Sequence, residues 1–207
     1  MNNNLIPRTA LVASAGAASL VLAACGSNDG ASAGHDGHGS SSSASVSAAA
    51  SQGEHNAADI AFAKGMIPHH RQAVQMADLA PGRAESAEVK KLASEIKKAQ
   101  DPEIETLSGW LTSWGEEVPA EGAMDHSMHD MGGMTTDEDM DSLKKASGKA
   151  FDTAFLEMMI KHHEGAVEMA KTEKADGSFP DAKKMADAII TSQTAEISRM
   201  NSLLGKN

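Results

Sequence analysis

The chain has 207 residues and a formal charge of −11, with one cysteine, two Trp, four Phe and no Tyr against 13 Met and nine His. That charge excludes a nucleic-acid binder that works by neutralising phosphates, and one cysteine excludes an internal disulfide. Stability must come from packing, and the surplus of Met and His is the compositional feature that calls for a function.

Arg8 precedes an apolar, small-residue run from Ala10 to Leu22 that ends in Leu22-Ala23-Ala24-Cys25. The run is too short to span a bilayer, which takes about 20 apolar residues, and it has the layout of a secretory signal. Residues 1–24 are expected to be a signal peptide. The small residues before cysteine resemble the lipobox of bacterial lipoproteins, which implies lipidation at Cys25 and attachment to the membrane through that lipid alone. Residues 25–56 are rich in Gly, Ser and Ala, with His35, His38 and His55 among them. So few large apolar side chains cannot offset the entropy of folding, so this stretch is expected to be a flexible tether.

From Asp59 onward the sequence repeats itself. Asp59, Phe62, Met66, Ile67, His69, His70, Ala73, Val74, Met76 and Ala77 return as Asp152, Phe155, Met159, Ile160, His162, His163, Ala166, Val167, Met169 and Ala170, an offset of 93 (159 − 66). The same offset carries Ala93, Ile96, Gln100, Glu103, Ile104 and Leu111 to Ala186, Ile189, Gln193, Glu196, Ile197 and Leu204. One register kept over about 50 positions marks a duplication.

Apolar residues at steps of three and four predict two helices per copy. The first is expected over residues 57–79, stopped by Pro81-Gly82; the second over 85–114, ending at Gly115. The third is expected over 136–174 with an interruption near Gly148, and the fourth over 180–204 with Gly205 as its stop. The expected class is all-α: a four-helix bundle over 57–207, with hairpin one at 57–115, a crossover at 121–137 and hairpin two at 138–205.

The inward stripe of the first helix reads Asp59, Phe62, Met66, His69, Ala73, Met76 and Ala80, with His70 turned about 100° to its edge. The third repeats it with Asp152, Phe155, Met159, His162, Ala166 and Met169, flanked by His163. The second places Val89, Ala93, Ile96, Gln100, Glu103, Leu107, Trp110 and Trp114 inward; the fourth places Ala186, Ile189, Gln193, Glu196, Met200 and Leu203. Polar groups on such a stripe are costly without partners. Two readings satisfy them. In one, His69 and His162 hydrogen-bond to Glu196 and Glu103 and fix helix register. In the other, a metal ion is held by imidazole, carboxylate and thioether groups from His69, His70, His162, His163, Met66, Met76, Met159, Met169, Glu103 and Glu196.

The crossover adds Met124, His126, Met128, His129, Met131 and Met134 in quick succession. Thioether with imidazole suits Cu(I), and imidazole also takes Cu(II), whereas hard cations want oxygen ligands.

The run Asp-x-x-Phe-x-x-x-Met-Ile-x-His-His-x-x-Ala-Val-x-Met-Ala, present twice and each time followed by Gln-x-x-Glu-Ile, resembles Domain of Unknown Function 305, which is grouped with the ferritin-like bundles. The resemblance covers Asp59 to Leu204. It implies a ferritin-like four-helix fold in an exported protein, and some members with Met-rich segments are linked to copper binding and copper tolerance. Ferritin-like oxidases carry Glu-x-x-His on two helices; here His-His replaces it, and no Ser, Cys or Lys nucleophile has an identifiable base. The expected function is non-enzymatic: a copper-binding lipoprotein outside the cytoplasmic membrane that sequesters copper or hands it to a partner. The alternatives are a metal-dependent redox enzyme at the buried site, and an envelope structural module whose His and Glu pair without metal.

Overall fold

Three of the five described helices begin where a side chain takes up their free amides. Asn56 accepts from Ala58 and Asp59 and completes a capping box with Asp59, Ser86 caps the second helix, Thr136 caps the third, and Pro180 opens the fifth at its first turn. The resulting elements are α1 (Ala57–Arg83), α2 (Ala87–Trp114), α3 (Asp137–Lys145), α4 (Gly148–Asp176) and α5 (Pro180–Leu203). The computed structural model describes residues 54–121 and 132–206. The expected signal peptide, Cys25, most of the expected tether, and Met124, His126, Met128, His129 and Met131 lie outside the described residues. Among the described residues no helix is long and apolar enough to cross a membrane.

One expectation is corrected, and the interruption expected near Gly148 is found. The first helix does not stop before Pro81 but runs to Arg83. A proline in the last turn removes a single amide bond, and the Ala84 amide still closes on the Ala80 carbonyl at 3.0 Å. The third expected helix is two elements, α3 and α4, parted at Ala146 and Ser147. The chain enters α4 through Gly148 at φ 62°, backbone that favours glycine.

The four long helices pack as two hairpins, α1 with α2 and α4 with α5, and α1 lies against α4 between them. Their apolar side chains form two clusters. One gathers Met76, Leu92, Ile96, Phe151, Phe155, Met159 and Met200, and α3 adds Met140 and Leu143 to it. The other gathers Phe62, Met66, Ile67, Leu107, Leu111, Ala166 and Ile189. On every long helix the residues between the two clusters are polar: His69 and His70, Gln100 and Glu103, His162 and His163, Gln193 and Glu196. The core is therefore split across its middle by a polar layer. The duplication also stitches the hairpins together. Asp59 accepts from the amides of Ser178 (3.2 Å) and Phe179 (2.9 Å) in the α4–α5 turn, and Asp152 accepts from those of Glu85 (3.2 Å) and Ser86 (2.9 Å) in the α1–α2 turn.

Candidate metal centre

All four paired histidines are fully buried. His69 and His162, the first of each pair, meet across the α1–α4 contact with ring centroids 3.8 Å apart and planes inclined at 44°. The second of each pair turns to its own hairpin partner. His70 Nε2 lies 2.7 Å from the Glu103 carboxylate on α2, and His163 Nε2 lies 2.6 Å from Glu196 on α5. The expected pairing of His69 and His162 with the glutamates is thus corrected. A step of one residue rotates the side chain by about 100°, which aims the first histidine at the other copy and the second at the neighbouring helix.

A carboxylate can only accept, so Glu103 and Glu196 accept a hydrogen bond from Nε2 of His70 and His163, and in the neutral ring that leaves the lone pair on the buried Nδ1. Neither Nδ1 has a hydrogen-bond partner among the described residues, nor does either nitrogen of His69 or His162. Burial, and then the like charge their histidine neighbours would carry, keep His69 and His162 well below the ordinary 6.5, hence neutral. The Oε1 atoms of Gln100 and Gln193 are also unpartnered. The layer is rich in acceptors and poor in donors, where buried polar atoms are ordinarily satisfied. A Lewis acid fits that deficit, and imidazole held by carboxylate is the arrangement that orients histidine ligands in metal sites.

Met66 and Met159 are buried one turn before the first histidine of each pair, Met76 is buried one turn beyond Ala73, and its counterpart Met169 is half-buried. Among the described residues no three His, Cys, Asp or Glu side chains converge as they stand on one ion position. The donors form a tilted imidazole pair flanked by two carboxylate-held imidazoles. Trp110 and Trp114, expected inward, instead pack at the margin around Phe179, and His55 stacks on Trp114 at 4.5 Å, far along α1 from the histidine layer.

The residues directly after the first His-His pair hold both stems of the crossover. Arg71 donates to the Pro119 carbonyl at 2.6 Å. The buried Gln72 side chain brackets Thr135, donating to its carbonyl and accepting from its amide, both at 2.8 Å. On α4 the equivalent of Gln72 is Gly165 (165 − 72 = 93), and there the stem backbone passes so close that a Cβ would lie 1.7 Å from the Gly132 carbonyl oxygen. That carbonyl also acts on the His69 ring, favouring its charged form against the larger effect of burial. Met134 is thereby delivered half-buried beside α4. Sequence periodicity missed Gln72, Thr135 and Gly165. A glycine in a helix interior is the one signal that pointed to a close backbone approach.

The profile of the family described as Domain of unknown function (DUF305) matches residues 59–204. The chain belongs to the DUF305 family. A candidate secreted DUF305 protein from Streptomyces coelicolor has a similar structure, with a TM-score of 0.65 and 34% identity over 72% of this chain and 93% of that one. CopM in its Cu(I)-bound form is similar at a TM-score of 0.59 and 36% identity, covering 70% of this chain and 94% of that one. CopM has also been solved with Cu(II), at a TM-score of 0.61 and 36% identity over 70% of this chain and 94% of that one. No curated protein sequence matches the chain.

Proposed function

We propose that this DUF305 protein is an extracytoplasmic copper-binding lipoprotein that sequesters copper or passes it on, without catalysing a reaction. One observation carries the reading: four fully buried imidazoles, six of whose nitrogens have no hydrogen-bond partner among the described residues. CopM, 36% identical, binds Cu(I) and Cu(II) on a similar frame, which supports copper as the ion. The secretory signal, the Cys25 lipobox and the candidate secreted relative support export and lipid anchoring.

In this reading the bundle supplies His69, His70, His162 and His163, with Glu103 and Glu196 orienting the flanking rings and Met66, Met159, Met76 and Met169 as the nearby thioethers. Because no hard-ligand cage is preformed, a soft ion bound by two or three donors suits the layer better than a six-coordinate cation. Met124, His126, Met128, His129, Met131 and Met134 on the crossover would capture the ion first. The absence of a Glu-x-x-His pair supports storage or transfer over redox turnover.

An ion that binds only the folded chain raises its melting temperature by mass action. Cu(I) under anaerobic conditions should therefore raise Tm for the natural chain and raise it clearly less in a His69→Gln/His162→Gln variant. The competing reading, in which Glu103 and Glu196 simply satisfy structural histidines, predicts no metal response in either chain, and that result would remove copper from the bundle.

A further inference from the structure

An open cleft of about 830 Å³ lies between the C-terminal stem of the crossover and α4. Its walls carry three half-buried methionines, Met134 from the stem and Met158 and Met169 from α4. The cause is local: the stem crosses α4 at Gly165, so the next residue in the chain, Met134, and the residue one helical turn beyond Gly165, Met169, are brought to the same opening. Met158 precedes Met169 by 11 residues (169 − 158), roughly 16 Å along the helix axis, and so lines the far end without sharing an ion with it. Around the rim stand the carboxylates of Asp139, Glu164 and Glu168 against the single ammonium of Lys161, a field that favours cations. Gly132 lines the cleft where the stem passes Gly165, three residues beyond the buried His162, so the cleft lies beside the histidine layer.

The two copies differ at this point. Met76, the counterpart of Met169, is fully buried and sits under Thr135, whose hydroxyl points at its sulfur at 3.7 Å. The stem thus covers the methionine of copy one and leaves that of copy two open.

We propose that Met134 and Met169 form a binding site for a soft monovalent cation, Cu(I) or Ag(I), from which the ion passes to His69 and the histidine layer. The inference rests on the copper reading of that layer. Transfer is ligand exchange: metal–sulfur bonds break as metal–nitrogen bonds form to neutral imidazoles, with no electron or proton changing place. Thioethers supply the soft ligands that a d10 ion selects.

The test is a titration of the full chain, its methionine methyl groups labelled with carbon-13, with Ag(I) as a redox-inert probe. The Met134 and Met169 methyl signals, assigned from Met134→Leu and Met169→Leu, should move together. Met169→Leu, which conserves volume, should abolish the response of Met134 and weaken Ag(I) uptake at this site at least about tenfold, the scale seen when even an outer-shell partner of a metal site is lost. If Ag(I) shifts histidine or other methionine signals while these two stay fixed in the unaltered chain, the cleft is not a metal site, whatever the variants do. If Ag(I) moves nothing anywhere, the copper reading falls together with the cleft.

Discussion

His69 and His70 are neighbours in sequence with different tasks, and the rotation between them decides which. His69 faces the other copy with neither nitrogen in a hydrogen bond among the described residues, while His70 is fixed by Glu103, whose side chain keeps 22% exposure and so links the layer to solvent. Replacing Glu103 by Gln keeps the shape but lets the ring change tautomer. Loss of such an orienting partner typically lowers metal affinity 10- to 100-fold. Glu103→Gln should therefore weaken Cu(I) binding by at least about tenfold with the helical circular dichroism unchanged; equal affinity would mean that His70 is not a ligand. A second residue-scale prediction concerns Glu173, which stands where copy one has Ala80 (173 − 80 = 93). Its carboxyl is buried against Gly177 and beside Asp59. Asp59 stays ionised below its ordinary value despite burial, because the Asn56, Phe179 and Ser178 amides donate to it. Burial first, and Asp59 second, push Glu173 up to about 8 from 4.5. The folded state holds a proton that the unfolded chain releases above 4.5, so this group's contribution is complete at low pH and is lost as pH rises toward about 8. Glu173→Gln should melt higher than the natural chain, by a margin that widens between about pH 5 and about pH 8; parallel melting curves across that range would contradict a protonated Glu173.

At the scale of elements, α4 is the helix that departs from its counterpart, and the departure explains what periodicity could and could not reveal. The stripes through Phe62, Met66, His69 and Ala73, and through Phe155, Met159, His162 and Ala166, were legible because burial of one face imposes a 3.6-residue repeat. The end of α1 was misjudged because a proline so near a C-terminus breaks little. The partner of the glutamates was misjudged because a stripe tells which side chains are inward but not which neighbouring helix each one meets. The stem contact escaped because its sequence signature is small: Gln72 in one copy, Gly165 in the other. Alanine at Gly165 would favour the helix by about 0.5–1 kcal/mol yet place its methyl 1.7 Å from the Gly132 oxygen. The stem, tied chiefly by Gln72 and Thr135, should yield before α4 does. Gly165→Ala is thus expected to keep or slightly raise Tm while limited proteolysis cuts near residues 121–136 faster. Undiminished protection of that segment would show that the stem is not seated on Gly165.

For the whole molecule, duplication supplies the fold and its breakdown supplies the candidate chemistry. Two like hairpins back to back bury two apolar clusters and leave the paired histidines on the approximate symmetry axis, where His69 meets its own counterpart His162. That meeting was implicit in the constant offset of 93, since equivalent residues on packed copies converge at the axis. The crossover then joins the copies asymmetrically, with Arg71 and Gln72 gripping its two stems where copy two has Glu164 and Gly165. Burial of neutral His69 and His162 also sets the pH response of the metal-free bundle. Their folded-state values lie well below 6.5, so the contribution of these two histidines is complete above 6.5 and falls as pH drops below it, while the unfolded chain gains protons that the fold refuses. Copper binding by this layer is tested most directly by anaerobic competition for Cu(I) against a chromophoric chelator. The chain to use has Met124, His126, Met128, His129, Met131 and Met134 replaced by Gly and Ser, so that the crossover contributes nothing. Retained Cu(I) binding that disappears on further replacement of His69 and His162 by Gln is the predicted result; no binding once the crossover ligands are gone would contradict it.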